Sequence, residues 1–145
     1  MKPYMLDEEI TIIDHFLDPT WNVFEWGCGG STSRWKDKVN KWISVEHEKD
    51  WAERIGNPVL LRTNAESYLN APYEFPNIKF DLFIVDGIYR EQALAVASKL
   101  GNMALEHDSI RTKPSSYWDI HVILHRGKIE SNGAIHKGIR LHLKC

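Results

Sequence analysis

Apolar positions along this chain fall into short runs separated by polar turns, and two of the runs are too continuous for half-exposed strands. Val23 and Phe24 with Trp26, and residues 82–85 within Phe80-Asp-Leu-Phe-Ile-Val-Asp-Gly, read as strands buried on both faces. Leu6, Ile10, Ile13 and Leu17, with Phe16 beside them, recur at spacings of four, three and four. That spacing predicts an amphipathic helix with Asp7, Glu8 and Glu9 in its first turn, where the helix dipole favours anions, and Asp18-Pro19-Thr20 as its stop. Trp35, Val39 and Trp42 predict one face of a second short helix, and residues 43–45 a second strand. A third helix over 51–55 is expected to be capped by Asp50 and stopped by Gly56, before a third strand over 59–61. Ala93, Leu94, Ala97 and Leu100 mark the helix that follows the 82–85 strand, with Gly101 as its C′ residue.

Strands alternating with helices through residue 100 imply a parallel sheet with right-handed crossovers. Ligands then sit at the carboxyl ends of the strands, near the switch point between strands one and four. Glu25, Glu46 and Asp86 all fall at such strand ends.

The chemistry concentrates in Asn22-Val-Phe-Glu-Trp-Gly-Cys-Gly-Gly-Ser. A buried strand carries an acid, Glu25, then breaks into Gly27, Gly29 and Gly30, with Ser31 and Thr32 as natural caps for the next helix. Glycines there let the backbone turn tightly, approach a ligand and aim N–H groups at it. The dinucleotide pattern Gly-x-Gly-x-x-Gly is incomplete, because Thr32 stands where its third glycine belongs. A carboxylate two residues before the first glycine repels a pyrophosphate and attracts an ammonium. Glu46 follows at the end of the next strand, where a carboxylate can accept ribose hydroxyls. This combination suits S-adenosylmethionine better than a nicotinamide dinucleotide.

At these residues the chain resembles the class I (Rossmann-like) S-adenosylmethionine-dependent methyltransferases. Glu25-x-Gly27-x-Gly29 matches their first motif and Glu46 their ribose acid, and the likeness covers roughly residues 20–101 by its strand-and-helix pattern. It implies a three-layer α/β fold, Rossmann-like, with a central mostly parallel sheet and an antiparallel C-terminal edge, in a compact or truncated version. It further implies that Glu25, Gly27, Cys28, Gly29, Ser31, Glu46, His47, Asn64, Ala65 and Asp86 hold S-adenosyl-L-methionine, while Asp86 and Tyr89 face the methyl acceptor.

Beyond Gly101 the likeness weakens. The family would place a fifth apolar strand here, but residues 109–114 are polar and end in a proline. Residues 120–124 are an apolar run, residues 139–143 alternate as a half-buried strand should, and Ser131-Asn-Gly-Ala between them signals a hairpin turn.

Each chemical reading has a plainer rival. Cys28 reads as a small filler rather than a nucleophile, because no partner base is identifiable. Asn64 serves equally as a turn residue or an adenine contact. Asp86 could meet the cofactor, deprotonate an acceptor or ligate a divalent metal. The metal reading needs a further acid after strand five, for which only Asp108 and Asp119 stand available, so no metal is assigned. His121 and His125 would share a helix face, yet without a third zinc ligand they read as surface or core histidines.

The chain's 145 residues allow one methyltransferase-like domain spanning 1–145, and its 43% hydrophobic and 26% charged fractions are those of a soluble globular protein. A net charge of −2 argues against general nucleic-acid binding. No apolar run approaches membrane-spanning length, and Met1-Lys2-Pro3-Tyr4 opens no signal peptide. Cys28 and Cys145 form no disulfide framework. The expectation is a cytoplasmic enzyme acting on a small-molecule acceptor, without nucleic-acid or membrane partners, with a homodimer left open. The alternative is a non-catalytic Rossmann-like nucleoside-binding or assembly module, favoured by the short length and the polar region after Gly101.

Overall fold

In the computed structural model the chain opens with helix α1 (Asp7–Phe16), whose Ile10 and Ile13 are buried as their spacing requires. Strand β1 (Asn22–Trp26) follows, then α2 (Gly30–Trp35), a 3-10 turn (Lys36–Lys38) and β2 (Lys41–Glu46). Next come α3 (Lys49–Ile55), β3 (Val59–Leu61), α4 (Ala65–Leu69), a second 3-10 turn (Ala71–Glu74) and β4 (Leu82–Val85). Helix α5 (Arg90–Leu100) leads into β5 (Met103–His107), followed by β6 (Ile120–His125) and the two-residue strands β7 (Lys128–Ile129) and β8 (Ile135–His136). Strand β9 (Ile139–Leu143) completes the sheet. The structure describes residues 1–107, 113–129, 135–136 and 138–145.

Seven strands form one sheet in the order β3-β2-β1-β4-β5-β9-β6, while β7 and β8 pair antiparallel by themselves. Strands β1 to β5 run parallel, and β9 runs antiparallel to both β5 and β6. This is the Rossmann-like fold with an antiparallel C-terminal edge that the sequence predicts. Both faces of β1 and β4 are covered, so neither strand alternates. Phe24, Trp26, Phe83 and Val85 pack on one side against Tyr68, Ala71, Ala93, Leu94 and Ala97. Val23, Leu82 and Ile84 pack on the other against Ile10, Ile13 and Trp35. Each large side chain so buried contributes about 1.5–3 kcal/mol.

Several expectations are corrected. Helix α2 ends at Trp35, and Trp42 lies in β2; Trp35, Val39 and Trp42 share one cluster on the same side of the sheet, which makes their spacing look helical. Glu48, not Asp50, is the N-cap of α3. Gly101 is extended rather than left-handed, and it is small because a Cβ there would stand 2.7 Å from the Phe83 ring. The fifth parallel strand does exist, at Met103–His107 rather than in the polar 109–114 stretch, which lies mostly outside the described residues. Its last two residues, Glu106 and His107, are buried polar groups that interrupt the apolar signature. Residues 139–143 are buried on both faces rather than half-buried, since β9 lies between two strands. His121 and His125 lie on a strand, and the Ser131-Asn-Gly-Ala turn lies outside the described residues. Among the described residues no helix is long and apolar enough to cross a membrane.

Candidate functional site

Because β1, β2, β4 and β5 are parallel, their carboxyl ends meet at one edge of the sheet, and the order reverses between β1 and β4. The chain leaves β1 through Gly27, which adopts φ +84° and donates its N–H to the Val45 carbonyl at 2.9 Å. A side chain at Gly30 would collide with the Lys2 carbonyl, since the N-terminal segment crosses over the loop there. Gly29 is different: a Cβ would meet only the Trp51 ring, at an ordinary 3.5 Å.

Two cavities border this loop. The smaller, 230 Å³, is lined by Gly27, Cys28, Glu46, His47, Glu48, Trp51, Tyr68, Asp86 and Gly87. The larger, 290 Å³, lies between the segment Met1 to Met5 and Cys28, Gly29, Gly30, Ser31, Trp51 and Asp86. Cys28, Trp51 and Asp86 border both.

Glu25 borders neither. It is 1% exposed beneath the loop, where its carboxylate accepts hydrogen bonds from Ser31 Oγ (2.5 Å), Thr32 Oγ1 (2.5 Å), Ser44 Oγ (2.8 Å) and Trp42 Nε1 (3.3 Å). Burial pushes its carboxyl up to about 7; the three hydroxyls oppose that shift and the Asp86 charge adds to it. Glu25 thereby ties the start of α2 to β2. Ser31, which it holds, does reach the larger cavity.

Glu46 reaches the smaller cavity. One carboxylate oxygen accepts the backbone N–H of His47 (2.8 Å) and of Glu48 (3.0 Å). The other accepts the N–H of Cys28 (3.3 Å) and faces its thiol (3.7 Å). The turn after β2 is thus wound around this one carboxylate. A thiol is a weak donor, so a ligand hydroxyl could take its place. Burial, together with the Glu46 and Glu25 charges, pushes the Cys28 thiol far above its ordinary range, which leaves it an unreactive filler. His47 lies 3.1 Å from the same Glu46 carboxylate and sets its ring edge-on to Tyr68.

Asp86 follows the last residue of β4, with one oxygen 3.4 Å from the Arg90 guanidinium and the other 3.5 Å from His107 Nδ1. Tyr89, the N-cap of α5, has φ 56°, left-handed for a non-glycine residue, and its ring meets that of Tyr68 edge-on at 6.2 Å. Strained backbone of this kind costs on the order of 1–3 kcal/mol and clusters at functional sites. Tyr89 borders neither cavity. Nor do Asn64 and Ala65: Asn64 caps α4, its side-chain oxygen accepting the Ser67 N–H at 2.8 Å, as its turn-residue reading requires.

The structure adds two residues that sequence reasoning missed. Trp51 donates its indole N–H to the Cys28 carbonyl and divides the two cavities. Tyr68 is fully buried, and its hydroxyl has no hydrogen-bond partner among the described residues. The only sequence signal for it was an aromatic one helical turn after Asn64. Burial pushes its hydroxyl above the usual range, keeping it a neutral donor. Among the described residues no group of three His, Cys, Asp or Glu side chains is placed to hold a metal. Asp119 is committed to the Cys145 N–H at 2.9 Å, and Asp108 lies outside the described residues.

The residues present fit a nucleoside ligand bearing a cationic end. The Tyr68 hydroxyl is a buried donor with no hydrogen-bond partner among the described residues, Gly29 leaves space that the fold does not itself require, and acids from two strand ends border the cavities.

No protein-family model matches this chain, and no curated protein matches it. Solved structures do. The bifunctional kinase-methyltransferase WbdD superposes with a TM-score of 0.53 at 12% identity, over 94% of this chain and 37% of WbdD. A second WbdD structure gives 0.52 at 12% identity, over 94% and 38%. The chain therefore spans little more than a third of the proteins it resembles, and what it shares with them is the fold.

Proposed function

We propose that this chain binds S-adenosyl-L-methionine across the two cavities and transfers its methyl group to an oxygen or nitrogen of a small-molecule acceptor. One observation carries the reading: two contiguous cavities meet over a glycine loop at the switch point of a parallel sheet, with Glu46 and Asp86 entering from the strand ends. The likeness in fold to a protein described as a kinase-methyltransferase supports it.

Glu46 would hold the ribose, with His47 and Tyr68 beside it. Gly29 gives backbone approach, and Ser31, whose hydroxyl proton is held by Glu25, offers its oxygen to the methionine ammonium without direct contact by Glu25 itself. Held there, the cofactor would supply an electrophilic sulfonium methyl group for transfer to the acceptor. Asp86 takes the proton that the acceptor loses, and Tyr89 stands with it on the acceptor side. Positioning and exclusion of water supply the remaining catalysis.

The test is calorimetry with S-adenosylmethionine, S-adenosylhomocysteine and NAD, followed by a tritiated-methyl screen against pooled small molecules and cell extract. Asp86→Asn should keep the fold and most cofactor affinity while cutting transfer by roughly 10²–10⁴-fold. Transfer that survives in the variant removes Asp86 as the base. Binding of the cofactor without transfer by either protein leaves a nucleoside-binding module.

A further inference from the structure

Behind Asp86 lies a chain of ionisable groups that the methyl-transfer reading does not use. His107, at the end of β5 and nearly fully buried, sets Nδ1 3.5 Å from an Asp86 carboxylate oxygen and Nε2 3.6 Å from a Glu9 carboxylate oxygen. Glu9 comes from the first turn of α1. One of its oxygens accepts the Leu6 N–H at 3.1 Å, which closes that helix start. A glutamate doing only that would sit in solvent, yet Glu9 is 0% exposed and its second oxygen has no hydrogen-bond partner among the described residues. His125 Nδ1, on β6, stands 3.7 Å from that second oxygen. A lone buried carboxylate costs several kcal/mol, so a charge kept at Glu9 calls for a cation beside it. The imidazole of His107 is placed to be that cation, and its other nitrogen faces the residue at the mouth of both cavities.

We propose that His107 and Glu9 form a positioning pair for Asp86: a His107 imidazolium, held by buried Glu9, fixes the Asp86 carboxylate toward the acceptor. The inference rests on the reading of Asp86 as the base in methyl transfer. Among the described residues, the charged groups facing the ring are Asp86 just after β4 and Glu9 from α1. His125 of β6 approaches through Glu9, and Arg90 of α5 donates to the His107 carbonyl and approaches Asp86. Placed between two carboxylates, the ring sets a cation beside the Asp86 oxygen that faces it. Removing the Glu9 charge loosens the ring's hold on its second proton, so the acid limb of the reaction moves upward.

The test joins a spectroscopic and a kinetic readout. Histidine side-chain nitrogen NMR at neutral pH, assigned by difference against His107→Gln, should show a ring protonated on both nitrogens in the wild type and on one in Glu9→Gln. The acid limb of the kcat profile should rise by about one pH unit in Glu9→Gln, with the acceptor KM little changed. A merely structural Glu9 would alter stability without moving that limb. Asp86→Asn, at a half-exposed position, supplies the second arm should Glu9→Gln unfold: His107 should then lose the proton facing residue 86. A neutral ring in the wild type, or an unmoved limb, overturns the pair. A doubly protonated ring in a wild type that methylates nothing overturns the methyl-transfer reading instead.

Discussion

A Cβ placed on Gly27 would stand 2.6 Å from the carbonyl oxygen of Asp86. The first glycine of the loop is therefore required by the neighbouring strand end, and its φ of +84° requires it again. Gly27→Val should destabilise the folded protein by more than about 2 kcal/mol before any ligand is considered. Gly29→Ala, which meets only an ordinary contact with Trp51, should leave the melting temperature nearly unchanged and weaken ligand binding. Thermal melts with and without S-adenosylhomocysteine separate the two. A Gly27→Val protein as stable as wild type would show that the loop is placed differently.

Glu25 should give the fold an unusual response to pH. Its folded carboxyl is pushed up to about 7 from an ordinary 4.5, so between those values the folded state holds a proton that the unfolded chain lacks. Its contribution is full below about 4.5, falls as pH rises to about 7 and is level above, a loss of about 3 kcal/mol. Glu25→Gln should abolish that slope. Urea titrations of both proteins at pH 4.5, 6 and 8 check it, and parallel stability curves would contradict it.

Asp14 should act in the opposite direction. It accepts hydrogen bonds from Arg34 (3.0 and 2.6 Å) and Trp35 (2.7 Å), joining α1 to α2. The Arg34 guanidinium, with help from Trp35 and Lys38 and against burial, holds its carboxyl well below the usual range. Its contribution is present above an unfolded value of 3.8 and lost as pH falls below it. Asp14→Ala should cost about 1.5–3 kcal/mol at neutral pH and much less in acid. Equal losses at pH 7 and pH 2.5 would rule the charge out.

Glu46→Gln keeps the size of the side chain while removing its charge. S-adenosylhomocysteine binding should weaken by roughly 1.5–3 kcal/mol, the scale for hydrogen bonds to a charged group. Calorimetry measures it. Unchanged affinity in a folded variant would assign the ribose contact elsewhere.

Strands β1 and β4, the loop between β1 and α2, and the strand-end acids were legible because each is dictated by local chemistry. A doubly buried strand must be apolar, and a sharp turn needs glycine. Strand β5 was not legible, because Glu106 and His107 look like solvent residues until their partners are known. Those partners, His142 and Arg140 for Glu106 and Glu9 for His107, arrive from distant segments. Glu25 was legible as an acid beside the glycine loop but not in its buried position. Its alternation along β1 turns it onto the face beneath the glycine loop and α2, where Ser44 and Trp42 of β2 claim it. Tyr68 carried no local mark beyond its spacing from Asn64, since its interest lies in a hydroxyl that has no hydrogen-bond partner among the described residues.

Strand β9 is the last described strand in chain order, yet it sits inside the sheet between β5 and β6. On a ribosome, β6 therefore emerges with its sole described ladder partner still unmade. Ile120, Val122 and Ile123, exposed even in the finished fold, meanwhile belong to an unpaired apolar strand. Non-local pairing of this kind is slow, and open strand edges are where nascent chains stick to one another. A chain released before residue 139 would present two such edges at once, β6 and the uncovered side of β5.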